Sequence, residues 1–304
     1  MILADTLDSV RIQVSIDGFI FLKICLAFIL FSLAIDITKE DFKVLVQFPK
    51  SVIIGLISQV FLLPAITFVF VYFFKPHPSI ALGAFLVAAC PCGNMSTYIS
   101  SLSKGFVPLS ISITTISTLL ASLTTPFNFY LYASLYTPAQ PILQSIEVSF
   151  GYLLQSIFFI LILPLCLGMY LRMRIPNFIS RWSKVIKSAA LLIFIGLLAG
   201  AFISNRKIFI QYLPGIFWLV FFQNILAFFT GYVFSKLFRL PETHCRSISI
   251  ETGIHNSGLG LLLTVTFFPN SGGIALLAAW WGIWHIVSGM SLAGFWHFKS
   301  VKAA

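Results

Sequence analysis

Nine apolar stretches, near residues 18–37, 50–74, 79–102, 106–134, 147–171, 187–205, 209–237, 246–268 and 272–298, follow one another with only short polar or Pro-containing joins. Each is long enough, or nearly so, to cross about 30 Å of hydrocarbon as a helix rising about 1.5 Å per residue. In lipid the backbone must satisfy its own hydrogen bonds, which for runs of this length means helices. The chain is 59% hydrophobic and 9% charged with 33 Phe, which is more apolar surface than a water-soluble domain can hide. An all-α integral membrane protein of about nine transmembrane helices in a lipid bilayer is expected, with no separate soluble domain. The Phe-rich faces read as lipid contacts.

Basic residues orient the chain. With the N-terminus outside, 14 of the 19 Lys and Arg fall on the inner side, among them Lys39, Lys104, Arg172, Arg181, Lys187 and Lys236. The outer side holds Arg11, Lys75, Arg206 and Lys207, while Lys23 lies within the first span. This asymmetry predicts a plasma or cell inner membrane protein with its N-terminus outside and C-terminus in the cytoplasm. The net charge of +10 is therefore a topology signal, and no nucleic-acid partner is implied. Residues 1–17 lack the basic start and cleavage site of a signal peptide and read as an exposed tail, with 299–304 as a cytoplasmic tail. Five cysteines show no pairing pattern and read as free thiols.

Polar residues inside the apolar runs mark the candidate site. Ile250 to Gly258 reads IETGIHNSG, and a carboxylate such as Glu251 at bilayer depth is costly enough to mark an ion or substrate path. Gly253 and Gly258 provide the means to break that helix. A second interruption runs from Cys90 to Thr97, where Pro91 removes a backbone donor and Gly93 loosens the chain. The Cys-Pro-Cys sequence resembles a soft-metal site, but no His/Cys set completes a tetrahedral shell and no transition metal is expected. Ser110 and Thr114 share one face of the next span as hard oxygen groups suited to Na⁺, in a run where other hydroxyls back-bond to the helix. Gln59 either bonds a neighbouring helix or ligates something.

The second half repeats this order. A span with Gln223 and Asn224 precedes the broken one, and a span with Trp284, His285 and Ser288 follows. Interruptions at corresponding positions predict inverted repeats, the first over 18–134 with four spans and the second over 147–298 with five, and a site where the broken helices cross. No HExxH or GxSxG sequence is present, and no enzyme is expected. The sequence carries no pattern that sets an oligomeric state.

Gln59 with Pro64, Cys90-Pro91 with Gly93, Ser96, the run from Leu109 to Thr115, Glu251-x-Gly253, Asn256-Ser257 and Trp284-His285-x-x-Ser288-Gly289 fall in register. By these landmarks the chain resembles the bile acid:sodium symporter family from about residue 20 to 298. The resemblance implies a core domain built on two crossed broken helices and a panel domain moving against it, with the first span of ten-span members missing. It implies one sodium site from Ser96, Thr97, Ser110, Thr114 and Glu251. A second would use Gln59, Glu251, the carbonyls of Thr252 and Ile254, and the position of His255.

Thr97 stands where the family pattern has Asn, and His255 where it has Gln. A neutral imidazole is a poor Na⁺ ligand and an imidazolium repels the ion, so a proton on His255 could replace the second sodium. Substrate groups would lie near Asn94, Asn256 and His285, where helix N-termini and amides receive a carboxylate; the alternative for His285 is an interhelical hydrogen bond. The function implied is sodium-coupled symport of an organic anion, bile-acid-like or a small carboxylate, by alternating access and without a cofactor. A proton-coupled or uncoupled carboxylate carrier is the alternative.

Overall fold

The computed structural model describes residues 16–35, 39–144, 151, 155, 158–204, 206–268 and 271–302. Its ordered elements are helices, with no strand among the described residues. They run α1 Ile16–Ala34, α2 Lys39–Gln47, α3 Pro49–Phe74, α4 Pro78–Ala89, α5 Asn94–Leu102 and α6 Val107–Leu135. After the join come α7 Leu163–Arg174, α8 Pro176–Ser204, α9 Arg206–Leu237, α10 Glu242–Gly253, α11 Ser257–Phe267 and α12 Gly272–Lys302.

Four of these, α3, α6, α9 and α12, are each long and apolar enough by themselves to cross a bilayer. The stretches 79–102 and 246–268 are each divided into two helices by a break. The stretches 18–37, 147–171 and 187–205 fall partly outside the described residues. Large apolar side chains such as Phe73, Leu192, Ile210 and Leu237 are more than two-thirds exposed. That arrangement suits a hydrocarbon solvent and fits a multi-pass membrane protein.

α8 begins eleven residues before the apolar stretch predicted at 187, because Arg181 and Lys184 are good helix formers that extend it into the basic segment. α1 packs against α7 and α8. The largest buried cluster joins α4, α9, α11 and α12 through Leu82, Phe85, Leu219, Leu263, Ile274 and Trp281.

α3 is not regular throughout. Residues Ser58–Leu62 form a π-helical turn ahead of Pro64. Pro64 has no N–H to give the Val60 carbonyl one turn earlier, and Asn128 of α6 supplies the replacement, Nδ2 donating to Val60 O at 2.7 Å. The widened turn carries Gln59 and contacts α10.

Candidate functional site

The two interruptions meet and satisfy each other. In an unbroken helix the Gly93 N–H would serve the Ala89 carbonyl; here it donates to Ile254 O at 3.1 Å. The Thr125 hydroxyl takes its place at Ala89 O, at 2.8 Å. Likewise the Asn256 N–H, which an unbroken helix would direct to Thr252 O, donates to Pro91 O at 2.8 Å. Cys92 and His255 thus form an isolated antiparallel bridge. Asn224 of α9 donates Nδ2 to Gly253 O at 2.9 Å and is itself fixed by the Ser288 hydroxyl of α12, bonded to its Oδ1. These partners account for backbone groups that the breaks would otherwise leave unpaired in an apolar interior.

The glycines act through space rather than through an unusual backbone conformation. No described glycine has a positive φ, and the break falls at Ile254 to Asn256, after Gly253 has ended α10 and before Gly258, which lies inside α11. A Cβ on Gly93 would meet the His255 carbonyl oxygen at 2.8 Å, and one on Gly253 would meet the Phe228 ring at 2.2 Å. Gly253 thus stands at the break, as the last residue of α10, and also makes room for the ring of Phe228, whereas Gly258 lies inside α11.

Glu251 is fully buried at this crossing, at 0% exposure. Its carboxylate accepts hydrogen bonds from the Ser110 hydroxyl at Oε1 and from the Thr114 hydroxyl at Oε2, the latter at 2.7 Å. Ser96 lies 3.3 Å from Thr114 Oγ1 and donates to Gly93 O at 2.8 Å. Ser110 also reaches Thr97 Oγ1 at 3.3 Å. All five side chains expected at one sodium site are therefore joined in one hydrogen-bonded group of hard oxygens. The four-residue spacing of Ser110 and Thr114 on α6 is what lets both address one carboxylate.

Of the second expected set, Gln59 lies on a widened turn that touches the helix carrying Glu251 and Thr252. Gln59 is 1% exposed and neither amide atom has a hydrogen-bond partner, so it does not make the interhelical bond that was one of its two expected roles. Its neighbour Ser58 lies 3.1 Å from Thr252 Oγ1, which places the turn against α10. The Thr252 carbonyl has lost its helical donor to Pro91, whereas the Ile254 carbonyl is engaged by Gly93 and keeps one lone pair. His255 is 1% exposed with both ring nitrogens unpartnered, its ring centroid 5.7 Å from that of Trp281.

Beside the crossing lies a cavity of about 640 Å³, lined at one side by Gly93, Met95, His255, Asn256, Ser257 and His285. The N-termini of α5 and α11 therefore both border it, and the positive ends of their helix dipoles favour an anion. Asn256 lines it but uses its Oδ1 to cap α11, accepting from Leu259 N at 3.0 Å. His285 is 2% exposed and its Nδ1 has no partner. Asn94 begins α5, and its side chain lies outside the described ones. The five cysteines are free, Cys166 exposed and Cys25, Cys90, Cys92 and Cys245 buried.

Sequence reasoning passed over Thr125, Asn128 and Lys187. The first two were legible only as polar residues flanking Pro126 in an apolar helix, and Lys187, which lines the cavity, was read only for topology.

The sequence pattern described as the sodium bile acid symporter family matches residues 23–212, more than half of the chain. The chain belongs to the sodium bile acid symporter family. Among its relatives in that family, "Uncharacterized sodium-dependent transporter YocS" of Bacillus subtilis is 34% identical over 93% of this chain and 84% of that protein. "Probable sodium/metabolite cotransporter BASS2, chloroplastic" of Oryza sativa is 29% identical over 91% of this chain and 64% of that protein. "Sodium/bile acid cotransporter 5" of Rattus norvegicus is 27% identical over 73% of this chain, which spans 50% of that protein. Three symporter-family members from a bacterium, a plant and a mammal are thus all named for sodium.

Proposed function

We propose that this chain is a secondary active transporter that carries an organic anion together with sodium by alternating access. The observation that carries the reading is Glu251, a buried carboxylate surrounded by the hydroxyls of Ser96, Ser110 and Thr114 where two interrupted helices cross. A buried carboxylate of this kind needs a compensating charge or a dense shell of donors, and its hydroxyl neighbours each retain lone pairs for a cation. In this reading one sodium is held by Ser96, Thr97, Ser110, Thr114 and Glu251, and a second position uses Gln59, Glu251, the carbonyls of Thr252 and Ile254, and His255. The orphaned amide of Gln59 supports the second set, since a buried amide without a partner costs about 1–3 kcal/mol. Asn94, Asn256, His285 and the two helix N-termini receive the anion.

The movement follows from which elements share the cavity. α1 and α8, which pack on each other, contribute Leu26, Ile29, Ala190 and Leu191 to one wall, while the crossing forms the other. α1, α7 and α8 then act as the panel that rocks against a core of crossed helices, the chain comprising about nine spans in two inverted repeats over 18–134 and 147–298.

The test is uptake into liposomes containing the purified protein, with a panel of labelled organic anions that includes a bile acid and a short 2-oxo acid. An imposed inward sodium gradient should drive accumulation of at least one. Ser110→Ala and Thr114→Ala should each raise the sodium concentration for half-maximal uptake about tenfold, as expected for a lost ligand worth about 1.4 kcal/mol. Unchanged sodium dependence in both would make them ordinary structural hydroxyls.

His255 favours a second reading, in which a proton replaces the second sodium. Its two unpartnered ring nitrogens stand where the family pattern has an amide. His255→Gln should raise the sodium cooperativity of uptake and abolish any uptake driven by an imposed proton gradient in the absence of a sodium gradient. Two sodium ions per anion in the wild type would exclude this reading.

A further inference from the structure

Three helices meet beside the crossing, and their contact fixes a register. Leu63 of α3, Ala88 of α4 and Ala227 of α9 pack together. α3 and α9 run antiparallel, since Leu63 meets Ala227 while Phe74, further along α3, has its ring centroid 6.3 Å from that of Phe222, earlier on α9. One turn beyond this layer, on the same three faces, stand Thr67, Ala84 and Gln223. The Gln223 amide nitrogen donates to Ala84 O at 3.2 Å, which holds this second layer together. One turn the other way on α3 stands Gln59, assigned above to the second sodium position.

The layer of Thr67 and Gln223 holds two oxygens with nothing to bond. Thr67 is 0% and Gln223 1% exposed, yet Thr67 Oγ1 and Gln223 Oε1 have no hydrogen-bond partner. Other buried threonines return their hydroxyls to the carbonyl four residues back, as Thr118, Thr252 and Thr264 do; Thr67 does not. Each such unpaired group costs about 1–3 kcal/mol. The layer also lies across the crossing from the cavity. Along α12, Gly83 of α4 abuts Leu277, whereas Ile99 of α5 abuts Gly289, about 18 Å further along that helix. The cavity reaches Tyr98 and Ser101 on the α5 side, and Thr67 and Gln223 sit on the α4 side with Ala84.

Resting on the transport reading above, we propose that Thr67 and Gln223 form a transfer point for a small hard cation, sodium, between the crossing and the face of the protein opposite the cavity. A hydroxyl and an amide oxygen are hard ligands without charge. They hold the ion weakly, as a step along a path must if the ion is to leave again. Gln59 is the next oxygen ligand on α3, about 12 Å away. The layer that separates the two consists of Leu63 and two alanines, so one apolar side chain stands between the transfer point and the second sodium position.

The experiment uses the full chain in liposomes and follows exchange of radioactive sodium at equal sodium concentration on both sides, with a bile acid and a short 2-oxo acid present throughout. Thermal stabilisation by sodium is measured on the same variants in detergent. Thr67→Val keeps the shape of the side chain and removes its oxygen. It should slow exchange about tenfold, which is about 1.4 kcal/mol on the barrier. The sodium concentration for half-maximal stabilisation, which reports the positions at Glu251, should stay within about twofold, and the melting temperature should be equal or higher because an unpaired buried hydroxyl is gone. Thr67→Ser should exchange at close to the wild-type rate. Wild-type exchange in Thr67→Val overturns the proposal and leaves the transport reading standing. Slow exchange joined to a lower melting temperature or a shifted sodium midpoint also overturns it, because the hydroxyl would then act through packing or on the crossing itself, as does an equal loss in Thr67→Ser. If the wild type exchanges no sodium, the sodium reading fails and this proposal fails with it.

Discussion

Uptake driven by a sodium gradient is expected to fall to background, a loss of about a hundredfold or more, when Glu251 is replaced by Ala or by Gln. The carboxylate is fully buried and accepts hydrogen bonds from Ser110 and Thr114 on α6, and in the proposed function it serves both sodium positions. Removing it takes away the one carboxylate at the crossing among the described residues, and each charge-assisted contact to such a group is worth about 1.5–3 kcal/mol. Glu251→Gln separates charge from shape. The amide keeps the carboxylate's volume and one acceptor oxygen, so the variant should elute as the intact protein on size-exclusion chromatography while failing to couple sodium to uptake. Wild-type rates from either variant in reconstituted liposomes would remove Glu251 from the ion path.

Gly93→Ala is expected to be nearly as damaging by a different route. The added methyl would lie 2.8 Å from the His255 carbonyl oxygen and 3.1 Å from its carbon, both of them backbone atoms. A side chain could rotate away; two paired segments of backbone can only separate. Separation weakens the Gly93–Ile254 and Asn256–Pro91 hydrogen bonds that tie the breaks together, and overpacking of this kind costs about 1–3 kcal/mol. A melting temperature lower by several degrees and a loss of uptake of at least tenfold are expected. Gly260→Ala is the matched control, since its nearest neighbour is Cys90 Sγ at 3.7 Å and it lies within α11. Alanine there should be neutral or slightly stabilising, as it is in most helix interiors. Equal effects of the two substitutions would mean that the close approach at Gly93 contributes nothing.

Much of the crossing was legible because it violates a strong local rule. Apolar runs of span length define helices by summation over about twenty neighbours, and against that background Glu251, Pro91 and the IETGIHNSG stretch stand out without any knowledge of what they touch. Ser110 and Thr114 were placed on one face by periodicity alone, and both meet the same carboxylate. Gln59 was left with two roles because a buried amide in an apolar helix is compatible with either a protein partner or a ligand. Its position in a widened turn without any hydrogen-bond partner separates those roles, and that is a property of three dimensions.

The sequence by itself therefore determined the helical membrane class, the family, the positions of both interruptions and the polar residues that gather around them, since each is written in hydropathy, periodicity or short motifs. Tertiary structure decided which backbone groups repair the breaks, with Thr125 serving Ala89, Asn128 serving Val60 and Asn224 serving Gly253. It decided that Gly253 is small for the sake of Phe228 and that Lys187 borders the cavity. The physical reason is range. A helix and its interruption are set by neighbours within a turn or two along the chain, whereas a hydrogen-bond partner or a cavity wall is chosen by packing between segments far apart in sequence, and no local pattern encodes that choice.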